Sequence, residues 1–313
     1  MEASRADRAY MKKNYSKAIP LFKGLADRGS VFASRIVGHF YYHEIKPRDY
    51  PRAVKWFKRA WSLGQSYTWD SLKRYDLMDP DDRGIISRKD IWVYKEHESY
   101  RNSAFELYDA YRKGKGVPKN INEAIKWLKK VAELGDNGLA SSVLGDLYYE
   151  GKDVARNYKE AARWYTHAAS LGKTLVLSKL GNIYFYGGHG IQSDYKEAIR
   201  WLGAAAREKR FRRLRGEAEA QRNLGWLYET GNGAPKDLSR ALEWYQIAAG
   251  HGDAVAQSYL GVMYNNGQGV PQDYKEAVKW YRLAAKQGDA NAQSYLGNIY
   301  FYGGHGIQSD YKE

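Results

Sequence analysis

The sequence predicts an all-α fold, a solenoid of stacked antiparallel helix hairpins with about eight full repeats and a terminal half repeat. Three observations predict it: two short signals alternate along the chain, each has the apolar spacing of a helix, and together they recur with a period near 36.

The first signal is an apolar residue, a glycine and, three positions after the glycine, a tyrosine. It stands at Val37-Gly38 with Tyr41, Leu144-Gly145 with Tyr148, Leu180-Gly181 with Tyr184, Leu224-Gly225 with Tyr228, Leu260-Gly261 with Tyr264 and Leu296-Gly297 with Tyr300. Leu107-Tyr108 with Tyr111 is a variant without the glycine. This spacing places all three residues on one helical face, and the glycine lets a neighbouring helix approach closely.

The second signal is a tryptophan, a small or apolar pair four and five positions on, and a glycine at eight. Trp56, Trp127, Trp164, Trp244 and Trp280 carry it in full, whereas Trp201 meets Lys209 where the glycine belongs. Ala241, Trp244, Ala248 and Ala249 form the apolar stripe of a second helix. The tryptophan is expected to supply most of the buried area. The closing glycine suits a left-handed C-cap. Asp237 and Asp273 stand where N-caps belong, after glycine-rich turns such as Gly267-Gln268-Gly269-Val270-Pro271.

The pattern resembles the Sel-one-like repeat family, relatives of the tetratricopeptide repeats. Residues 254–288 carry every part of it, AVAQSYLGVMYNNGQGVPQDYKEAVKWYRLAAKQG. The likeness covers roughly residues 100–313, and residues 1–64 match more loosely. It implies a right-handed superhelix that scaffolds protein–protein contacts. Many bacterial members are exported, so it favours the periplasm, with the cytoplasm as the alternative, and some are neighbours of antibacterial lipases. An immunity or accessory role for a secreted effector is therefore one expectation of the resemblance.

Composition narrows the function classes. Of 313 residues 43% are apolar, enough for a large core, and no apolar run is long enough to cross a bilayer. The opening residues are polar and helix-like and do not read as a signal peptide. Absence of cysteine removes disulfides, thiolate catalysis and cysteine-ligated zinc. The net charge of +14 suits an acidic partner.

Domain organisation follows the regularity of the repeat. Residues 1–64 form divergent helical repeats, 65–103 an irregular, degenerate one, and 104–313 regular repeats with an insertion near 207–216 and an incomplete last repeat. The natural chain is expected to continue past Glu313. Gly181–Glu197 and Gly297–Glu313 are identical, which suggests recent copying.

The chain is not expected to be an enzyme. No serine sits in a nucleophile elbow, and the glycine-rich turns join helices and lack a phosphate-loop ending. His39 and His43, four apart, could share a metal, but no third ligand is evident and structural or surface roles are expected. His189 and His305 read as turn residues. Asp79 to Asp90 loosely resembles a calcium loop, with Arg83 at a ligand position and Asp90 where Glu is usual, and reads as a polar turn. No cofactor, bound metal or small-molecule substrate is expected.

A partner protein is expected in the concave groove that first helices line in tetratricopeptide-like superhelices. Residues one after the core tyrosine, or two before it, then face the groove. Tyr42, Tyr149, Phe185 and Trp226 are the expected aromatic contacts, with Arg112, Glu229 and Asp146 as polar ones. The alternative is binding of nucleic acid or anionic lipid through the basic extension Arg207, Lys209, Arg210, Arg212, Arg213 and Arg215. Aromatic interleaving is thin there, so nucleic acid and membrane are not the expected partners.

Overall fold

The computed structural model describes residues 2–64, 88–133, 138–208, 213–214 and 217–302. They form fifteen α-helices, and the β-structure among them is a single isolated bridge between Gly188 and Ile191. No helix of the described residues is long and apolar enough to cross a membrane. The chain falls into two compact units, residues 1–144 and 145–313.

The first unit holds α1 (Glu2–Met11), α2 (Tyr15–Asp27), α3 (Val31–His39), α4 (Tyr50–Gly64), α5 (Arg88–Lys113) and α6 (Ile121–Glu133). α3 runs straight into a π-helical turn, Phe40–Glu44. Its core gathers Phe22, Val37, Phe40, Phe57 and Leu107, all fully buried. Of the expected irregular repeat at 65–103 and the calcium-like loop from Asp79 to Asp90, residues 65–87 lie outside the described ones, and residues 88–103 form the first part of the long helix α5.

α7 (Leu139–Glu150) spans the boundary of the units. The second unit continues with α8 (Tyr158–Ser170), α9 (Leu177–Tyr186), α10 (Tyr195–Ala206), α11 (Ala218–Thr230), α12 (Leu238–Gly250), α13 (Ala254–Asn266), α14 (Tyr274–Lys286) and α15 (Ala290–Tyr302). Consecutive helices pair as hairpins, so the architecture is the stack that the 36-residue period predicts.

One hydrogen bond recurs from hairpin to hairpin. The residue that caps the second helix donates its N–H to the carbonyl of the core tyrosine: Asp194 to Tyr184 at 2.7 Å, and Asp237 to Tyr228 and Asp273 to Tyr264 at 2.9 Å. The same residue accepts through its carboxylate an N–H of the first turn, as Asp237 does from Arg240 and Asp273 from Glu276, each at 3.0 Å. One residue thus anchors the turn to the first helix through its backbone N–H and starts the second through its side chain.

Turn glycines serve close approach as well as conformation. Gly233 has φ +81° and lies on the backbone carbonyl of Tyr195, at the start of the preceding repeat's second helix, where a side chain has no room. The loop of one hairpin therefore rests on its neighbour.

The structure moves the main buried ring by one residue. Tyr165, Tyr245 and Tyr281 are fully buried, as are Phe57, Leu128 and Leu202 at the same position. The preceding tryptophans 56, 127, 164, 201 and 280 are half-buried, with Trp244 the buried exception. The reason lies in the first-helix glycine, which leaves a slot one residue past the tryptophan. Gly145, Gly225 and Gly261 lie flat against Tyr165, Tyr245 and Tyr281, and Gly38 against Phe57. Four of the half-buried indoles, Trp56, Trp127, Trp164 and Trp201, sit beneath cations, with Lys130 Nζ 4.2 Å from the Trp127 ring centroid and the Arg200 guanidinium 4.8 Å from that of Trp201.

Candidate functional site: an aromatic trough in the second unit

The first helices α9 and α11 bury their leucine–glycine edges and turn other positions outward. On α9 these are Phe185 and Tyr186, and on α11 they are Arg222 and Trp226, with Asn223 buried beside them. Tyr195 at the start of α10 and Val255 and Tyr259 on α13 complete a trough of about 500 Å³.

Its floor is aromatic. Phe185 meets Trp226 edge to face at 5.3 Å between centroids, and Tyr195 lies 5.4 Å from the same indole. These rings brace one another, so little rotamer freedom remains to be lost on binding. Tyr186 stands up at the edge, 51% exposed.

One wall is polar and internally paired. Arg222 donates to the Tyr186 hydroxyl at 2.9 Å and to Asp253 at 3.3 Å. Tyr186 donates to Glu219 at 2.9 Å, and Asn223 donates to Asn182 at 3.1 Å. Burial raises the pKa of Tyr186, so it is a neutral hydroxyl at physiological pH. Desolvation pulls the pKa of Arg222 down, but Asp253, Tyr186 and Glu219 together outweigh it and raise the value, so the cation is retained.

Of the expected contacts, Phe185 and Trp226 come together in this trough. Tyr149 is half-buried and stacks on Tyr158 at 5.3 Å, and burial raises its pKa to about 12. Asp146 accepts the Tyr165 hydroxyl at 2.7 Å and the Lys179 ammonium at 2.6 Å, and Glu229 accepts the Tyr245 hydroxyl at 2.6 Å. These two carboxylates are thereby committed to the hairpin's own rings. Arg112 is exposed near the end of α5.

Tyr42 is a correction. Expected at the groove surface, it is only 2% exposed, and its hydroxyl donates to Asp109 at 2.8 Å. The π turn shifts the register after His39, which rotates Tyr42 inward against Phe57.

Of the basic extension, Arg207 caps the end of α10 and is exposed, as is Arg213. Lys209, Arg210, Arg212 and Arg215 lie outside the described residues. His189 sits in the turn between α9 and α10, where its carbonyl accepts the N–H of Tyr158 at 2.9 Å, and His305 lies outside the described residues.

Sequence reasoning missed Tyr186, Arg222, Asn223 and Tyr259. A signal existed for two of them. Arg222-Asn223 precedes Leu224-Gly225, where the following repeats have Ser258-Tyr259 and Ser294-Tyr295. A cation and an amide replacing a serine and a ring mark one repeat as different at the trough wall.

A stack of paired antiparallel helices in which glycine, ring and cap recur from hairpin to hairpin defines an all-α helical-repeat solenoid. A family model described as Sel1 repeat matches residues 33–65, 98–136, 139–173, 176–209, 218–253, 254–289 and 290–313. The chain belongs to the Sel1 repeat family, whose members generally scaffold protein–protein interactions.

Among solved structures, the chain is similar to c5321, a protective antigen of uropathogenic Escherichia coli with this repeat fold. The two are 24% identical with a TM-score of 0.56, over 94% of this chain and 62% of that one. The chain thus spans under two thirds of that protein's length, and the likeness speaks to fold alone. A Sel1 repeat protein of Oxalobacter formigenes is 26% identical with a TM-score of 0.46, covering 90% of this chain and 96% of that one. The immunity protein Pa5087 of Pseudomonas aeruginosa is 18% identical with a TM-score of 0.29, covering 84% and 82%. No curated protein matches the chain.

Proposed function

We propose that this chain is a binding scaffold that docks a segment of an acidic partner protein in the trough between α9, α11 and α13. The observation that carries this reading is the convergence of Phe185, Tyr195 and Trp226 on an open trough of about 500 Å³. A desolvated aromatic anchor ringed by polar groups is the arrangement that concentrates binding energy in protein interfaces. The net charge of +14 adds attraction to an acidic partner over distance. In its finer form, the partner is a secreted effector and the chain its immunity or accessory protein, a reading supported by the family resemblance.

The test uses the immobilised chain and its Trp226→Ala variant to recover and identify a partner, with affinity then measured across salt concentrations. The reading expects at least a tenfold loss in the variant and a shallow salt dependence, because apolar burial is little screened. Binding that survives Trp226→Ala and collapses with salt or on removal of the 207–215 charges overturns it in favour of the basic extension.

A further inference from the structure

The first unit brings together three metal-ligating side chains that are scattered in sequence. An imidazole nitrogen from each of His39 and His43 and a carboxylate oxygen of Glu106 all lie within 4.8 Å of one another. His39 closes α3, His43 lies in the π turn that follows, and Glu106 comes from α5. We propose that His39, His43 and Glu106 form a binding site for a zinc-like divalent cation, which braces α3 and its π turn against α5.

Four observations support the site. The Nδ1 of His39 is buried and has no hydrogen-bond partner among the described residues, an expensive state for a polar atom unless something else takes its lone pair or proton. The two imidazoles stand 4.5 Å apart between centroids, tilted by 35°. His43 Nε2 is 3.9 Å from Glu106 Oε2, too long for a hydrogen bond and close to the separation of two ligands on one ion. A π turn also interrupts the helix at this point, and such turns are often found at functional sites.

Donor chemistry selects the ion. Two imidazoles and one carboxylate suit zinc and its borderline neighbours, whereas calcium and magnesium prefer all-oxygen shells. Ligands on a tetrahedral zinc stand roughly 3.4 Å apart, so the three groups must draw inward by about 1 Å. The exposed His43 ring has the freedom to do so. The surrounding charges are mixed. Arg35, Arg48 and Lys115 act on the histidines, and Glu44 and Asp109 oppose them.

Binding joins residues 67 positions apart, from His39 to Glu106, and only the folded chain presents all three. The ion is therefore expected to raise the midpoint of thermal unfolding. The test titrates zinc chloride into the chelator-treated full chain by calorimetry, alongside His43→Gln, Glu106→Gln and, as a surface control, His167→Gln. The expected result is one ion per chain, a raised unfolding midpoint, at least tenfold weaker binding in the first two variants and no change in the control. His43 is exposed and its replacement should leave the fold intact, which circular dichroism checks. Absence of saturable zinc binding in the wild type, or unchanged binding in either His43→Gln or Glu106→Gln, overturns the proposal.

Discussion

Gly225 of α11 lies flat against the ring of Tyr245 on α12, where a methyl group at the glycine would stand 2.8 Å from Tyr245 Cδ1. The hydroxyl of the same ring donates to Glu229, one turn further along α11. Glycine, ring and carboxylate thus make a single joint between the two helices of a hairpin.

Adding a side chain at that joint should force the helices apart. Gly225→Ala is expected to cost a net ~1–2 kcal/mol, because overpacking outweighs the helix propensity gained. Gly203, inside α10, has open space at its Cβ position. Gly203→Ala should therefore be neutral or stabilise by up to ~1 kcal/mol. Urea unfolding of the two variants measures both, and equal effects would contradict the joint.

Removing hydroxyls should separate two rings that occupy equivalent places. Tyr245 donates to Glu229, whereas the buried Tyr281 hydroxyl has no partner among the described residues. Val262 and Asn265 stand where Asp146 and Glu229 serve the other hairpins. Tyr245→Phe is expected to cost ~1.5–2 kcal/mol, and Tyr281→Phe to cost nothing or stabilise slightly. Paired denaturation curves decide, and a larger loss at Tyr281 would be the contrary result.

Alkali should unfold the chain through these same rings. Burial and the neighbouring carboxylates raise the pKa of Tyr165 and Tyr245 above the ordinary tyrosine value of 10.0. A raised folded-state pKa gives stability that is complete below pH 10 and is lost as pH climbs from there toward the folded value, since only the unfolded chain then ionises readily. Tyrosinate absorbance of these rings should appear with loss of helix rather than before it. Full titration while helical ellipticity persists would contradict their burial.

N-caps should differ in weight according to what else they hold. Asp273 caps α14 through the N–H of Glu276, and Asp273→Ala is expected to cost ~1 kcal/mol. Asp253 caps α13 and also accepts from Arg222 at 3.3 Å, with both side chains largely buried. Asp253→Ala should cost ~2 kcal/mol or more, because it also strips a partner from a shielded cation. Thermal unfolding of both variants ranks them, and reversal of the order would sink the assignment.

Much of this molecule is legible in its amino-acid sequence. Helix identity, hairpin pairing and the capping role of Asp237 and Asp273 follow from residues within one or two turns of each other. Period, cap and glycine are local signals, and the backbone obeys them wherever packing does not object. The burial of Tyr165 rather than Trp164 is different. It depends on the slot beside Gly145, a feature of another helix. Tyr42 turns inward because a π turn, which no propensity marks, resets its face.

The candidate sites divide the same way. Phe185 and Trp226 are recognisable as outward positions of a known helix face. Their union with Tyr186 and Arg222 in one trough, and the approach of Glu106 to His39 and His43, are not. Each needs side chains from elements 37 to 67 residues apart, Tyr186 with Asn223 and His39 with Glu106, placed by how hairpins stack. The sequence by itself determined the repeating unit, because its signals act within a turn or a hairpin. Only the tertiary structure decided which rings are buried and which donors meet, because those contacts arise from helices that no local pattern brings together.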